Sequence, residues 1–263
     1  MILPYYYWWF KSAIPPEVCD QILELGLTTM HDRRSKFGNK SVSGSVGGWR
    51  QKQHGIKDAV AVADTLISDL DQTGVGFEKT YVRDSEVVFL SNSELYEIVW
   101  PFIHEANAKA GWNFEWDFTE DFQFTRYGPG QFYGWHVDTG ETPYELFDPA
   151  IHPVHKNPDG SDFIDQYGAT VPDDHNLTTN PRLVGKIRKL SCTISLNNPE
   201  EYEGGNLKFD LGPHRPDRYH ECEEIRPRGS VIVFPSHVHH QVTPVTKGTR
   251  YSLVCWHLGK PFR

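Results

Sequence analysis

A mainly β fold of the α+β class, a sandwich or barrel braced by helices, is what this sequence predicts. Short apolar or alternating runs recur through its second half, at residues 121–127, 189–196, 205–209, 230–234 and 250–256, with turn-forming residues between them. Aromatic residues make up 13% of the 263, beside 22 Gly and 18 Pro, a composition that suits strands joined by turns better than packed helices. Apolar spacing of the helical kind is confined to the part before residue 114.

Residues 5–10 are aromatic and strand-like. Pro15 and Pro16 open an apolar pattern through Val18, Ile22, Leu23 and Leu25, and Gly26 marks its expected end, which predicts a short helix. Residues 35–55 are rich in Gly, Ser, Lys and Arg without periodicity and read as a mobile loop. Val62, Leu66, Ile67 and Leu70 share one face of an expected helix over 58–71, and residues 87–90 form a buried strand. Leu95, Ile98, Val99, Phe102, Ile103 and Ala106 predict a third helix over 94–110, closed by Gly111. Residues 140–188 break the pattern: they are polar, rich in Pro, Asp, Asn and His, and too long for an ordinary connection. The expected organisation is a single domain over 1–263. Residues 1–113 supply helical support and the first strands, and 114–263 supply the β core, interrupted by a long insertion at 141–188.

The formal net charge of −9 argues against a nucleic-acid partner, which calls for a basic surface. Four cysteines, Cys19, Cys192, Cys222 and Cys255, include no C-x-x-C pair and are expected to be free thiols in a reducing compartment. The first residues lack the basic and apolar regions of a signal peptide, and no apolar run approaches the ~20 residues of a membrane span. The expectation is a cytoplasmic protein with no membrane partner.

The chemistry concentrates around His136 and Asp138. In a strand, residues i and i+2 point the same way, so an imidazole and a carboxylate would project side by side. A second histidine would complete the 2-His-1-carboxylate facial triad of non-haem Fe(II) sites. Alone, H-x-D says little in a chain with 13 His and 35 acidic residues, where an ordinary hydrogen-bonded histidine is the commoner source. The third ligand must come from another strand, and His237, His239 and His240 follow an apolar run at 230–234. Arg250 then opens the next apolar strand. A guanidinium there cannot be neutralised and pairs bidentately with a carboxylate, so it suits a dicarboxylic cosubstrate.

Five blocks in order make the pattern specific. R-Y-x-P-G-x-x-Y-x-x-H-x-D is matched at 126–138, with Gly128 at an unconstrained position. L-S-x-T-x-x-L-N follows at 190–197 and Y-x-G-G-x-L at 202–207. F-P-S-x-x-x-H-x-V-x-P-V-x-x-G-x-R spans 234–250, and R-Y-x-x-x-x-W spans 250–256. Over residues 122–257, apart from the insertion, the chain resembles the 2-oxoglutarate/Fe(II)-dependent dioxygenase superfamily, and within it the prolyl 4-hydroxylase-like branch.

That resemblance implies a double-stranded β-helix (jelly-roll) core with N-terminal supporting helices. It implies iron bound by His136, Asp138 and His240, with His239 as the fallback, and no catalytic group beyond the metal centre. Arg250 would hold the distal carboxylate of 2-oxoglutarate, helped by Tyr127 and by Thr193 and Ser195 on one strand face. Tyr133 and Trp256 would stand beside the substrate, where an aromatic wall suits a proline ring, although core packing explains aromatic residues equally well. The implied reaction couples O2 and the decarboxylation of 2-oxoglutarate to hydroxylation of a C–H bond, with ascorbate as an accessory reductant. The implied substrate is a proline-containing peptide or protein.

The insertion departs from the oxygen-sensing animal prolyl hydroxylases, which have a short arginine-bearing connection there, and so keeps a hydroxylase of a free amino acid or other small molecule in view. Asp138 argues against a halogenase. A non-catalytic metal-binding β-sandwich and a zinc hydrolase remain alternatives from other classes. Residues 35–55 and 141–188 are the segments expected to close over a substrate.

Overall fold

The computed structural model describes residues 5–44, 46–51, 77–140, 142–156, 161–162, 170, 172, 174 and 176–262. In chain order the elements are β1 (Trp8–Phe10), α1 (Pro16–Phe37), β2 (Val46–Gln51), β3 (Phe77–Asp84), β4 (Glu86–Leu90), α2 (Ser93–Lys109), β5 (Phe118–Thr119), β6 (Phe122–Tyr127), β7 (Phe132–His136), β8 (Glu145–Leu146), β9 (Leu177–Thr178), β10 (Ile187–Ser195), β11 (Tyr202–Gly204), β12 (Leu207–Asp210), β13 (Tyr219–Glu221), β14 (Val231–Pro235), β15 (His240–Val242), β16 (Val245–Gly248) and β17 (Arg250–Gly259).

The larger sheet runs β1-β14-β10-β17-β6-β4, with β5 also paired to β17, and the smaller runs β13-β12-β15-β7-β3-β2. Every pairing within these two sheets is antiparallel. From β6 onward the principal strands cross repeatedly between the sheets: β6, β10, β14 and β17 lie in the larger, and β7, β12 and β15 in the smaller. That alternation is the double-stranded β-helix, a jelly-roll of mainly β structure with helices on one side.

The central strands of the larger sheet are covered on both faces: on β10 the polar face of Ser191, Thr193 and Ser195 is buried as well as the apolar one. On β10, Cys192 and Ile194 join the helices in one core, together with Leu95, Val99 and Ile103 of α2 and Cys19, Ile22 and Met30 of α1. Asn92 caps α2, its side chain accepting from the Glu94 N–H at 2.8 Å. All four cysteines are buried and free. No helix among the described residues is long and apolar enough to cross a membrane.

Helix α1 does not stop at Gly26. It continues to Phe37 and closes at Gly38, whose φ of +81° suits glycine and whose N–H bonds to the Arg34 carbonyl at 2.9 Å. Gly26 is instead buried within the helix, where an added Cβ would lie 2.4 Å from the Phe124 ring on β6. Glycine is there for close approach of helix to sheet. Gly26→Ala is therefore expected to lower stability by about 1–3 kcal/mol through overpacking, outweighing a helix-propensity gain of roughly 1 kcal/mol. Thermal unfolding of the variant measures this; an unchanged or higher Tm would contradict it.

The stretch at 35–55 is also not a plain loop. It contains the end of α1, a 3-10 turn at Asn39–Val42 and strand β2, which pairs with β3 over six residues. Its V-G-G-W-R-Q sequence has no alternation, so only the partner strand defines it. The expected helix over 58–71 lies outside the described residues, as does part of the 141–188 insertion. The insertion's two ends are zipped together: β8 and β9 pair in parallel, the Tyr144 N–H donates to the Lys186 carbonyl at 3.0 Å, and the Gly185 N–H donates to the Tyr144 carbonyl at 2.9 Å. The chain thus leaves and re-enters the core at one place.

Candidate metal centre

His136 ends β7 and His240 begins β15, and these two residues face each other directly in the ladder between those strands. Asp138 follows two residues after His136, its N–H donating to the Ser236 carbonyl at 2.9 Å, which carries the chain alongside the end of β14. The three side chains offer ligand atoms that all lie within 4.8 Å of one another. Asp138 Oδ1 is 3.5 Å from His136 Nε2, and Oδ2 is 3.5 Å from His240 Nε2.

The imidazoles are held from behind. His136 Nδ1 donates to the Gly134 carbonyl at 2.7 Å and His240 Nδ1 to the Val238 carbonyl at 2.9 Å. A carbonyl can only accept, so each Nδ1 carries the proton and each Nε2 presents its lone pair to the shared space. Burial, with His136 beside it, pushes His240 down to about 4, which keeps that ring neutral. Burial opposes ionisation of Asp138, but His240, His136 and the nearby Arg188 guanidinium together hold its carboxyl well below the usual range. Ser191 Oγ donates to Asp138 Oδ2 at 2.7 Å and contacts Ser236 Oγ at 2.9 Å, fixing the carboxylate. Ser191→Ala is expected to weaken metal binding by about 10–100-fold while leaving the three ligands in place. Competition with a chelator reads this out, and wild-type affinity would count against it.

The β7–β15 ladder shifts register between these positions, so that Val242 opposes Tyr133 while His240 opposes His136. That irregularity brings Tyr133 and His136, three apart, to the same side. Their rings stack at 3.4 Å between centroids, and the Arg83 guanidinium covers the Tyr133 ring at 4.7 Å.

One cavity is lined by the three candidate ligands together with Tyr127, Tyr133, Thr193, Arg250 and Trp256. Eight of the nine residues singled out in the sequence thus meet there. Ser195 is the exception: it is buried opposite Ser252, its hydroxyl without a hydrogen-bond partner among the described residues, while Ser252 reaches the cavity. Thr193 and Ser195 do share a strand face with Ser191, as alternation required, but the cavity ends before Ser195. His237 and His239 are both exposed, and His237 packs against the rings of Phe114 and Phe262.

Arg250 is only 2% exposed. Its guanidinium donates to Ser252 Oγ at 3.3 Å and lies 5.5 Å from the centre of the Tyr127 ring. No carboxylate among the described residues pairs with it. A cation buried this deeply is costly unless an anion meets it, so the cavity lining combines a guanidinium able to take an anion with a cluster able to hold a metal.

Several lining or supporting residues were not singled out in the sequence. Gln123 alternates with Tyr127 along β6 and Ser252 with Arg250 along β17, so strand periodicity could have found them. Arg83 carries no local signal. Only 7% exposed, it donates from Nε to Ser85 Oγ at 2.8 Å and from Nη1 to Gln123 Oε1 at 3.3 Å. Arg188 is likewise set by the fold: it forms a two-pronged pair with Glu120, reaches the Asp138 carbonyl at 3.4 Å, and stacks over the Trp256 ring at 4.0 Å.

Residues 122–258, more than half of the chain, match the model of the 2OG-Fe(II) oxygenase superfamily. The chain belongs to that superfamily. The family is one of Fe(II) and 2-oxoglutarate enzymes, and the donor set here, two imidazoles and a carboxylate, suits Fe(II). The chain is 34% identical over 134 residues to a PKHD-type hydroxylase of Stenotrophomonas maltophilia, covering 51% of this chain and 41% of that protein. Over 67 residues it is 43% identical to a PKHD-type hydroxylase of Xylella fastidiosa, covering 26% of each. The matched region therefore spans less than half the length of these curated relatives. Its fold is shared with the viral collagen prolyl hydroxylase of Paramecium Bursaria Chlorella virus-1, at 15% identity and a TM-score of 0.51 over 97% of both chains. It is shared too with a Trichoplax adhaerens prolyl hydroxylase solved with a hypoxia inducible factor peptide fragment, at 14% identity and a TM-score of 0.50 over 96% of this chain and 83% of that one.

Proposed function

We propose that this oxygenase is a 2-oxoglutarate-dependent hydroxylase, with His136, Asp138 and His240 as the iron ligands and a prolyl residue of a peptide or protein as its substrate. The observation that carries the reading is Arg250, a buried guanidinium with no carboxylate partner among the described residues, lining the same cavity as the His-Asp-His cluster. Iron and 2-oxoglutarate, when bound, supply the oxidising chemistry, coupling decarboxylation to insertion of one oxygen from O2 into a C–H bond.

The chain's own residues supply position. Arg250 and Ser252, with Tyr127 beside them, receive the distal carboxylate at one end of the cavity, and Thr193 lies along its path. Apolar Leu207, Phe234, Val242 and Val254 line the remainder and exclude water from the reacting centre. Trp256 lines the cavity as a flat wall for a pyrrolidine ring, with Tyr133, stacked on His136, beside it. Trp256 Nε1 is buried with no acceptor among the described residues, so it is suited to a substrate carbonyl. The names of the matched hydroxylases support the hydroxylase assignment, and the aromatic walls favour a prolyl substrate. We further propose that residues 1–263 act as one domain, since α1, α2 and the larger sheet share a single core.

Succinate formation from 2-oxoglutarate, with Fe(II), air and ascorbate, tests the reaction. A panel of proline-containing peptides followed by mass spectrometry tests the substrate. Succinate that tracks the gain of one oxygen on a prolyl peptide is the expected result. Succinate without any modified peptide would overturn the prolyl assignment and favour a small-molecule substrate. No succinate from folded, iron-loaded protein, with those peptides present, would overturn the oxygenase reaction itself.

A further inference from the structure

Arg250 stands at a place where the sheet runs out. Strand β10 pairs with β17 up to Ser195 opposite Ser252, and the Leu196 N–H still reaches the Tyr251 carbonyl at 3.1 Å. Beyond that point the Tyr251 N–H and the Thr249 carbonyl, which flank Arg250, have lost their partner strand. Asn197 takes its place. Its Oδ1 accepts from the Tyr251 N–H at 3.0 Å, and its Nδ2 donates to the Thr249 carbonyl at 2.9 Å and to Glu201 Oε2 at 3.2 Å. An N–H can only donate and a carbonyl can only accept, so this network admits one orientation of the carboxamide. The side chain is 2% exposed, and water does not replace these bonds freely.

The far side of Arg250 is equally constrained. Gly205 sits at φ +61°, and an added Cβ would lie 2.9 Å from Arg250 Cδ and 3.0 Å from Val245 Cγ2. On β6, Tyr127 is the ladder partner of Arg250 itself. The backbone of Arg250 is thus held by Tyr127 on one edge and by Asn197 on the other, while Gly205 leaves room for its stem.

We propose that Asn197 is a positioning residue for Arg250: by standing in for the missing strand it fixes the guanidinium at the distance and angle that a dicarboxylic 2-oxo acid needs. The inference rests on the 2-oxoglutarate reading above and adds a residue that touches neither metal nor cosubstrate. Its signature is selective. Loss of position at Arg250 weakens recognition of the distal carboxylate but not chelation of the metal by the 2-oxo acid end.

The test is binding, measured by calorimetry on Mn(II)-loaded protein without O2. Two ligands are compared: 2-oxoglutarate, and 2-oxopentanoate, which has the same carbon chain without the distal carboxylate. Wild type is expected to prefer 2-oxoglutarate strongly, and Arg250→Ala to lose that preference. Asn197→Ala is expected to weaken 2-oxoglutarate binding by about tenfold or more, with little change in 2-oxopentanoate or Mn(II) binding. Asn197→Ser keeps a polar group in the same space and serves if the alanine variant does not fold. A folded Asn197 variant that keeps the wild-type preference, or that loses both ligands equally, overturns the proposal. A wild-type protein with no preference overturns the 2-oxoglutarate reading instead, so the two failures are distinguishable.

Discussion

Replacing His240 with alanine is expected to strip the protein of bound iron and to abolish succinate formation, whereas the same change at His237 or His239 leaves both close to wild type. The contrast follows from position. His240 is buried, faces His136 across the ladder, and is locked at Nδ1 by the Val238 carbonyl, so its Nε2 has one direction to point. His239, one residue earlier, is exposed. Removing a direct ligand should cost more than the roughly 10–100-fold in affinity that follows loss of a hydrogen-bond partner behind one. Iron per chain in purified, folded variants measures it. Retention of full iron by His240→Ala, or loss of iron from His239→Ala, would show that the ligand set is wrongly assigned.

Arg250 gives the second large effect, and with it an opposite effect on stability. Arg250→Ala is expected to reduce affinity for 2-oxoglutarate by about 100-fold, the loss of a charge-assisted pair in a buried site. Arg250→Lys should recover only part, because an ammonium cannot present two parallel N–H groups to a carboxylate. Without 2-oxoglutarate the logic reverses. A buried cation with no carboxylate partner among the described residues burdens the folded state, so Arg250→Met, which keeps the stem and removes the charge, should melt at the same temperature as wild type or higher. Adding 2-oxoglutarate should raise the wild-type Tm more than that of Arg250→Met. Equal shifts in both proteins would mean that Arg250 does not receive the carboxylate.

Much of the site was legible because its parts are local or keep strand spacing. His136 and Asp138 sit two apart, and Tyr127, Arg250 and Thr193 lie on strands whose alternation already divides inward from outward. Tyr133 needed more, since it lies three residues from His136 and faces the cavity only because the β7–β15 ladder shifts. Gly26 was misread because a glycine that ends a helix and one that lets a helix touch a sheet look alike until Phe124 is known to lie opposite. Strand β2 was missed for a related reason: V-G-G-W-R-Q carries no periodicity of its own and is defined by pairing with β3.

By itself, then, the sequence determined the chemistry available to this protein: two histidines and a carboxylate to hold a metal, an arginine to hold an acid, and strands alternating finely enough to aim them. The tertiary structure decided what surrounds that chemistry. It chose where Ser191 meets Asp138, where Arg83 and Arg188 enter, and how Asn197 replaces a strand beside Arg250. Those contacts join residues 50 to 54 positions apart, except for Arg83, whose hydrogen bond to Gln123 spans 40. Spacing along the chain records which way a side chain points from its own strand, but not which distant strand folds against it.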